Sequence, residues 1–175
     1  YVEILIKYKD IRSENMPRFL VGATADTWDF DAAYDAAKDG DIIEFTPNLT
    51  MNFTREPFTE ITKNITIIGH VEGNTFLNTI TGKIRVSNKA KVTFQNLWMS
   101  VLENNNMFRI TGESEVTFEN CVLQSEFPAN EHFLLFSEEK SKVNFKQVTT
   151  KLPDKHQLGM KFVQSEVSIQ DSTIQ

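Results

Sequence analysis

Few side chains in this sequence are of a type that does chemistry, and their spacing narrows them further. Of the three histidines, His132 and His156 fall in the polar stretches SEFPANEH and KLPDKHQLG, one repeat apart. With Glu131 or Asp154 they would make a two-histidine metal site, but that set is short of the usual four ligands. Solvated loop histidines are the plainer reading, so neither a metal nor a cofactor is expected. Cys121 is the only cysteine, which excludes an internal disulfide and a multi-cysteine zinc site. It stands where other repeats carry Leu97 and Val148, and reads as a small buried hydrophobe rather than a nucleophile. Lys83, Arg85, Arg109 and Lys161 are the basic residues whose placement would suit the carboxylates of an acidic glycan. The plainer alternative is a pair of solvated arginines offset by Glu113 or Glu103. Trp98 and Val122 are expected to face outward as a sugar-stacking platform or a partner contact, unless the segment Tyr1–Val21 or a neighbouring loop covers them. Asn48, Asn52 and Asn64 match the N-glycosylation acceptor pattern, one that is common by chance.

The elements that would hold these groups follow from hydrophobic period. Tyr1–Tyr8 alternates as a strand and Arg18–Val21 is a second short one. Ala25–Asp39 then changes to helical spacing, with Phe30, Ala33, Tyr34 and Ala37 on one stripe. Thr27 or Asp26 is available as N-cap, acids fill the first turns, and Gly40 is the expected stop. Asp41–Phe45 reads as a strand. Seven glycines and five prolines are too few for a barrel of many glycine hairpins. The net charge of −6 argues against general nucleic-acid binding, and no apolar run approaches the ~20 residues of a membrane helix.

From residue 62 onward the text repeats. VTFQN (Val92–Asn96), VTFEN (Val116–Asn120), VNFKQ (Val143–Gln147) and VSIQD (Val167–Asp171) are versions of one motif, and ITIIG (Ile65–Gly69) is a weaker copy. The starts are separated by 27, 24, 27 and 24 residues. Upstream lie Ile84/Val86, Phe108/Ile110, Leu135 and Phe162; downstream lie Leu97/Met99, Cys121/Leu123, Val148 and Ile174. Three short strands per repeat make a path that closes into one coil, and coils stack ~4.8 Å apart with every strand paired in parallel. Leucine-rich repeats lack their consensus here, and helical repeats would need long amphipathic runs. The fold class predicted is therefore all-β: a single-stranded right-handed parallel β-helix of about five coils with a short N-terminal capping helix, Phe30–Lys38. Residues 1–25 would be N-terminal strands packed on the solenoid, 26–60 the capping helix and first coil, and 61–175 the repeating coils. Gln175 falls mid-coil, so further coils, a partner or a second copy would be needed to cover that end.

Asn96, Asn120, Gln147 and Asp171 occupy one corner of successive coils, a structural ladder. Asparagine tolerates a left-handed backbone, and stacked amides can bond from coil to coil. With these corners, and with DFDAAYDAAKDGDIIEF (Asp29–Phe45) as helix and GD turn, the chain resembles the right-handed parallel β-helix superfamily of pectate-lyase-like proteins over roughly residues 26–175. The resemblance implies the architecture and leaves activity open, since the fold hosts lyases, hydrolases, adhesins and non-catalytic domains. The family's lyases hold calcium on clustered Asp and Glu, and its hydrolases use several Asp carboxylates. No Asp occurs between Asp41 and Asp154, and the coil glutamates alternate with lysines, so no catalytic residue is assigned. The expectation is a non-catalytic scaffold, cytoplasmic or cell-surface, that binds a protein partner or its own copies through a coil face or open end. The rival is a glycan-binding or carbohydrate-active protein using the Arg85/Arg109 face, and a surface adhesin is a third option.

Overall fold

A computed structural model describes residues 17–101, 107–125, 134–151 and 159–174. They form a parallel β-solenoid of about five turns with one short helix. The expected strand Tyr1–Tyr8, and the loop residues Glu103, Glu131, His132, Asp154 and His156, lie outside the described residues.

Three faces run the length of the stack. The first carries β4 (Thr59–Ile61), β9 (Ile84–Val86), β12 (Phe108–Ile110), β14 (Leu135–Ser137) and β16 (Met160–Phe162), all in parallel register. The second carries β1 (Arg18–Val21), β2 (Ile42–Phe45), β5 (Ile65–Ile68), β10 (Lys91–Gln95), the first halves of β13 (Glu115–Ser125) and β15 (Lys142–Lys151), and β17 (Glu166–Gln170). The third stacks β3 (Thr50–Phe53), β8 (Thr79–Gly82), β11 (Trp98–Val101) and the second halves of β13 and β15. The repeats align as their sequences require: Val92 on Val116 on Val143 on Val167, and Phe94 on Phe118 on Phe145 on Ile169. A branched or aromatic residue at alternate positions suits a pleated, half-buried strand, and stacking makes one dry column of them. Rings of Phe94, Phe118 and Phe145 lie nearly parallel at 5.6 and 5.7 Å, and Phe108 meets the first two edge-on at 5.4 and 5.0 Å. Both arrangements are favoured by ring quadrupoles.

The corner between the second and third faces is the anticipated ladder. Asn96, Asn120, Gln147 and Asp171 have φ of 59, 49, 54 and 49°, and the Asn120 amide donates to Asn96 Oδ1 at 2.8 Å. Gly69 holds that corner in the coil above, where a Cβ would stand 2.5 Å from the Asn96 carbonyl oxygen. The only antiparallel pair among the described strands follows it, the hairpin β6 (Val71–Glu72) and β7 (Thr75–Phe76).

A second set of left-handed corners, between the first and second faces, was not foreseen. Asn88 and Lys89, Gly112 and Glu113, Glu139 and Lys140 all have φ between 57 and 65°. Ala90, Ser114 and Ser141 donate back to Ser87, Thr111 and Glu138, so each corner is a type I′ turn made mostly without glycine. The next corner is one residue shorter, as the spacing around Phe162 requires, and keeps a single left-handed residue, Gln164.

The cap differs from expectation in detail. Helix α1 spans Phe30–Ala36, and Asp29, not Thr27 or Asp26, is its N-cap, accepting from the Ala32 N–H. Thr27 bonds the Thr24 carbonyl instead. The helix ends at Ala36, before Gly40, where the C-cap Ala37 turns extended at ψ 145°, and Lys63 Nζ donates to the carbonyls of Tyr34, Asp35 and Ala37 at the open C-terminal end. Gly40, at φ 93°, serves the turn into β2. Phe30 and Ala33 are buried against the top coil, with Phe30 4.7 Å from Phe53. β1 stacks in parallel on β2 as the first rung of the second face.

Candidate functional site

The outward column of the first face reads Glu60, Arg85, Arg109, Phe136, Lys161, one residue per coil in direct register. Inward neighbours such as Ile84, Val86, Phe108 and Ile110 are fully buried, which fixes the strand and holds the alternate side chains out. Arg109 donates from Nε and Nη2 to Glu138 Oε1 at 3.0 and 2.7 Å. Its guanidinium carbon lies 5.9 Å from the Phe136 ring centroid, and Lys161 Nζ lies 5.7 Å from the same ring, both within cation–π range. Lys83 grips both oxygens of Glu56 at 2.6 and 2.7 Å. Arg85 is held more loosely. Its Nε is 3.9 Å from Glu60 Oε1, an oxygen already taken by the Ser87 hydroxyl at 2.7 Å, and is buried without a hydrogen-bond partner. The structure thus brings Arg85 and Arg109 together, and among the described residues their acids are Glu60 and Glu138 rather than Glu113. Glu113 pairs instead with Lys89.

On the third face Trp98 stacks directly on Val122, but this is not an open apolar platform. Val122 is only 6% exposed, which corrects the expectation that it faces solvent. The Phe76 ring of the inserted hairpin meets Trp98 edge-on at 6.2 Å, and Lys151 Nζ, two coils along, reaches to 4.3 Å over its ring. That reach crosses the coil that carries Val122. Among the described residues, Phe76 of the hairpin and Lys151 cover part of this surface.

Along the second face, Lys91, Glu115, Lys142 and Glu166 alternate in sign on successive coils. The Glu166 carboxylate, 2.7 Å away, raises the Lys142 pKa above its ordinary value. At the type I′ corner, Glu139 accepts from the Thr111 hydroxyl and the Gly112 N–H, and the Thr111 bond first and then the Gly112 bond lower its pKa. Sequence reading missed Glu139 because nothing in SEEK marks a carboxylate that reaches back one coil. Burial pushes the Cys121 thiol up to about 12, with Sγ 3.4 Å from the Phe94 carbonyl. Among the described residues no His, Cys, Asp and Glu cluster could hold a metal ion. Asn48 and Asn52 are exposed, whereas Asn64 Oδ1 accepts from the Lys91 N–H at 2.7 Å. No family model, curated protein or solved structure matches this chain.

Proposed function

We propose that this chain is an interaction module built on the pectate-lyase-like β-helix pattern, and that it binds a protein partner through its first face without turning over a substrate. The observation that supports this reading is the Arg85–Arg109–Phe136–Lys161 column, flanked by Glu60 and Glu138. Arginine and aromatic side chains are the types enriched at the energetic centres of protein interfaces. Here parallel pairing orders them in advance, which lowers the entropy lost on association. Mixed charge along the column suits a partner segment that also carries both signs. A benzoyl-phenylalanine placed at Phe136 and irradiated in the expressing cell should give one discrete protein adduct, lost in the R85A/R109A double variant. Absence of any adduct in the otherwise unaltered chain would count against the proposal.

The unpartnered Nε of Arg85 favours a second reading, in which the same face takes an acidic glycan. Swinging away from its loose 3.9 Å contact with Glu60, the guanidinium would turn that buried Nε toward a carboxylate. Calorimetric titration with an oligogalacturonate decides between the two: heat that disappears in R85A/R109A supports the glycan, and no heat supports the protein partner.

A further inference from the structure

Coil by coil, the outward column of the first face runs acid, base, base, aromatic, base: Glu60, Arg85, Arg109, Phe136, Lys161. Laid against its own reverse, this order is self-complementary. Glu60 meets Lys161, Arg85 meets Phe136, and Arg109 meets its own copy. Taking the first face to bind protein, as proposed above, we infer that its partner is the same face of a second copy of this chain. The two coil stacks run in opposite directions about a two-fold axis that passes Arg109 parallel to the strands.

Spacing makes the pairing possible. The five strands stack in direct register, so the column rises by the same ~4.8 Å per coil on both copies. All five contacts therefore form in one alignment over ~19 Å, and a closed two-fold contact uses the same patch twice. Charge order then selects the alignment. A slip of one coil sets Arg85 against Arg109 or against Lys161, and stacks running in the same direction set every charge on its own kind. Like charges face to face are costly, and this suppresses the wrong arrangements. In the centred alignment, Glu60 and Lys161, both exposed, meet as an ion pair. Arg85, held only by its 3.9 Å contact with Glu60, lies over the facing Phe136 ring as a cation–π pair. The one like pair is at the axis, and it is already compensated. Arg109 Nε and Nη2 donate to Glu138 Oε1 at 3.0 and 2.7 Å, so each copy brings a guanidinium offset by its own carboxylate. A contact centred on a single column buries less than the ~800 Å² per partner of a standard interface, which makes the dimer a weak one.

Sedimentation velocity on the whole chain tests this. With a dimer Kd on the order of 10 µM, the unaltered chain should sediment mainly as a dimer at ~100 µM. Glu60→Lys and Lys161→Glu are changes at exposed positions that each set like charges face to face, and each alone should weaken dimerisation about tenfold. An equimolar mixture of the two variants should regain it, because one chain then carries two bases and the other two acids at the paired positions. Recovery in the mixture also shows that both variants are folded. Dimerisation unchanged in the single variants, or a mixture no better than either alone, would overturn the self-pairing. So would an unaltered chain that stays monomeric at ~100 µM. In that event a Phe136 photo-adduct to a different protein leaves the partner reading intact, and no adduct removes both.

Discussion

At the residue scale, the inward and outward sides of one strand carry different weights. Phe118 is fully buried between Phe94 and Phe145, and Thr117 beside it faces out, half-buried. Phe118→Ala should cost ~3–5 kcal/mol in urea melts, as for other buried aromatics, and Thr117→Ala under ~1 kcal/mol. Equal shifts would contradict the alternation. Cys121 gives an independent reading of the same interior. With its thiol pushed up to about 12 and its residue 1% exposed, it should react with a disulfide reagent only as fast as the coil opens, and adding urea should raise that rate sharply. Rapid labelling of the folded chain would show that the column is open to solvent.

Elements were legible in the sequence to unequal degrees, for reasons that can be named. The second face was read to the residue because V-x-F-x-N places two large inward groups and a left-handed corner in five positions, and any slip in register would break all three. The first-face strands were placed too, since Ile84/Val86 and Phe108/Ile110 keep a fixed distance from that motif. The type I′ corners escaped notice because no residue type is common to all three of SNKA, TGES and EEKS at their central positions, and only one of those six residues is glycine. Lys63 as the closure of α1 was equally hidden, since it acts from 26 to 29 residues away. Val122 was placed beside Trp98, as the register has it, but its cover was left open because alternation tells which way a side chain points and not what lies above it. Glu139 tests the corner itself. Its lowered pKa means that its contribution to stability is present above the ordinary glutamate value of 4.5 and is lost as pH falls through the folded value. Glu139→Gln should therefore lower the melting temperature at neutral pH, and the gap from the unaltered chain should close in acid. A gap that stays constant below pH 4.5 would separate the effect from the carboxylate's charge.

For the whole molecule, each coil pairs its strands only with its immediate neighbours, so stability is largely local and near-additive along the axis. The core around Val116, Phe118, Val92 and Phe94 is closed, while Val167 and Ile169 are 40 and 57% exposed. Amide hydrogen exchange should accordingly be slowest in β10 and β13 and fastest in β17, with a gradient between them. Uniform protection across the coils would instead require all of them to open together. For the first face the same locality implies that its column of charges stays aligned even when a distant coil frays.

The corners leave room for improvement by design. Eleven described residues other than glycine sit at positive φ, where a Cβ costs roughly 1–2 kcal/mol against the following carbonyl. Lys140 and Gln164 are exposed, so Lys140→Gly and Gln164→Gly, singly and then together, should raise the melting temperature in steps. This chain folds with its vertices wound tighter than their side chains prefer, which places its natural thermal ceiling below the one its topology permits.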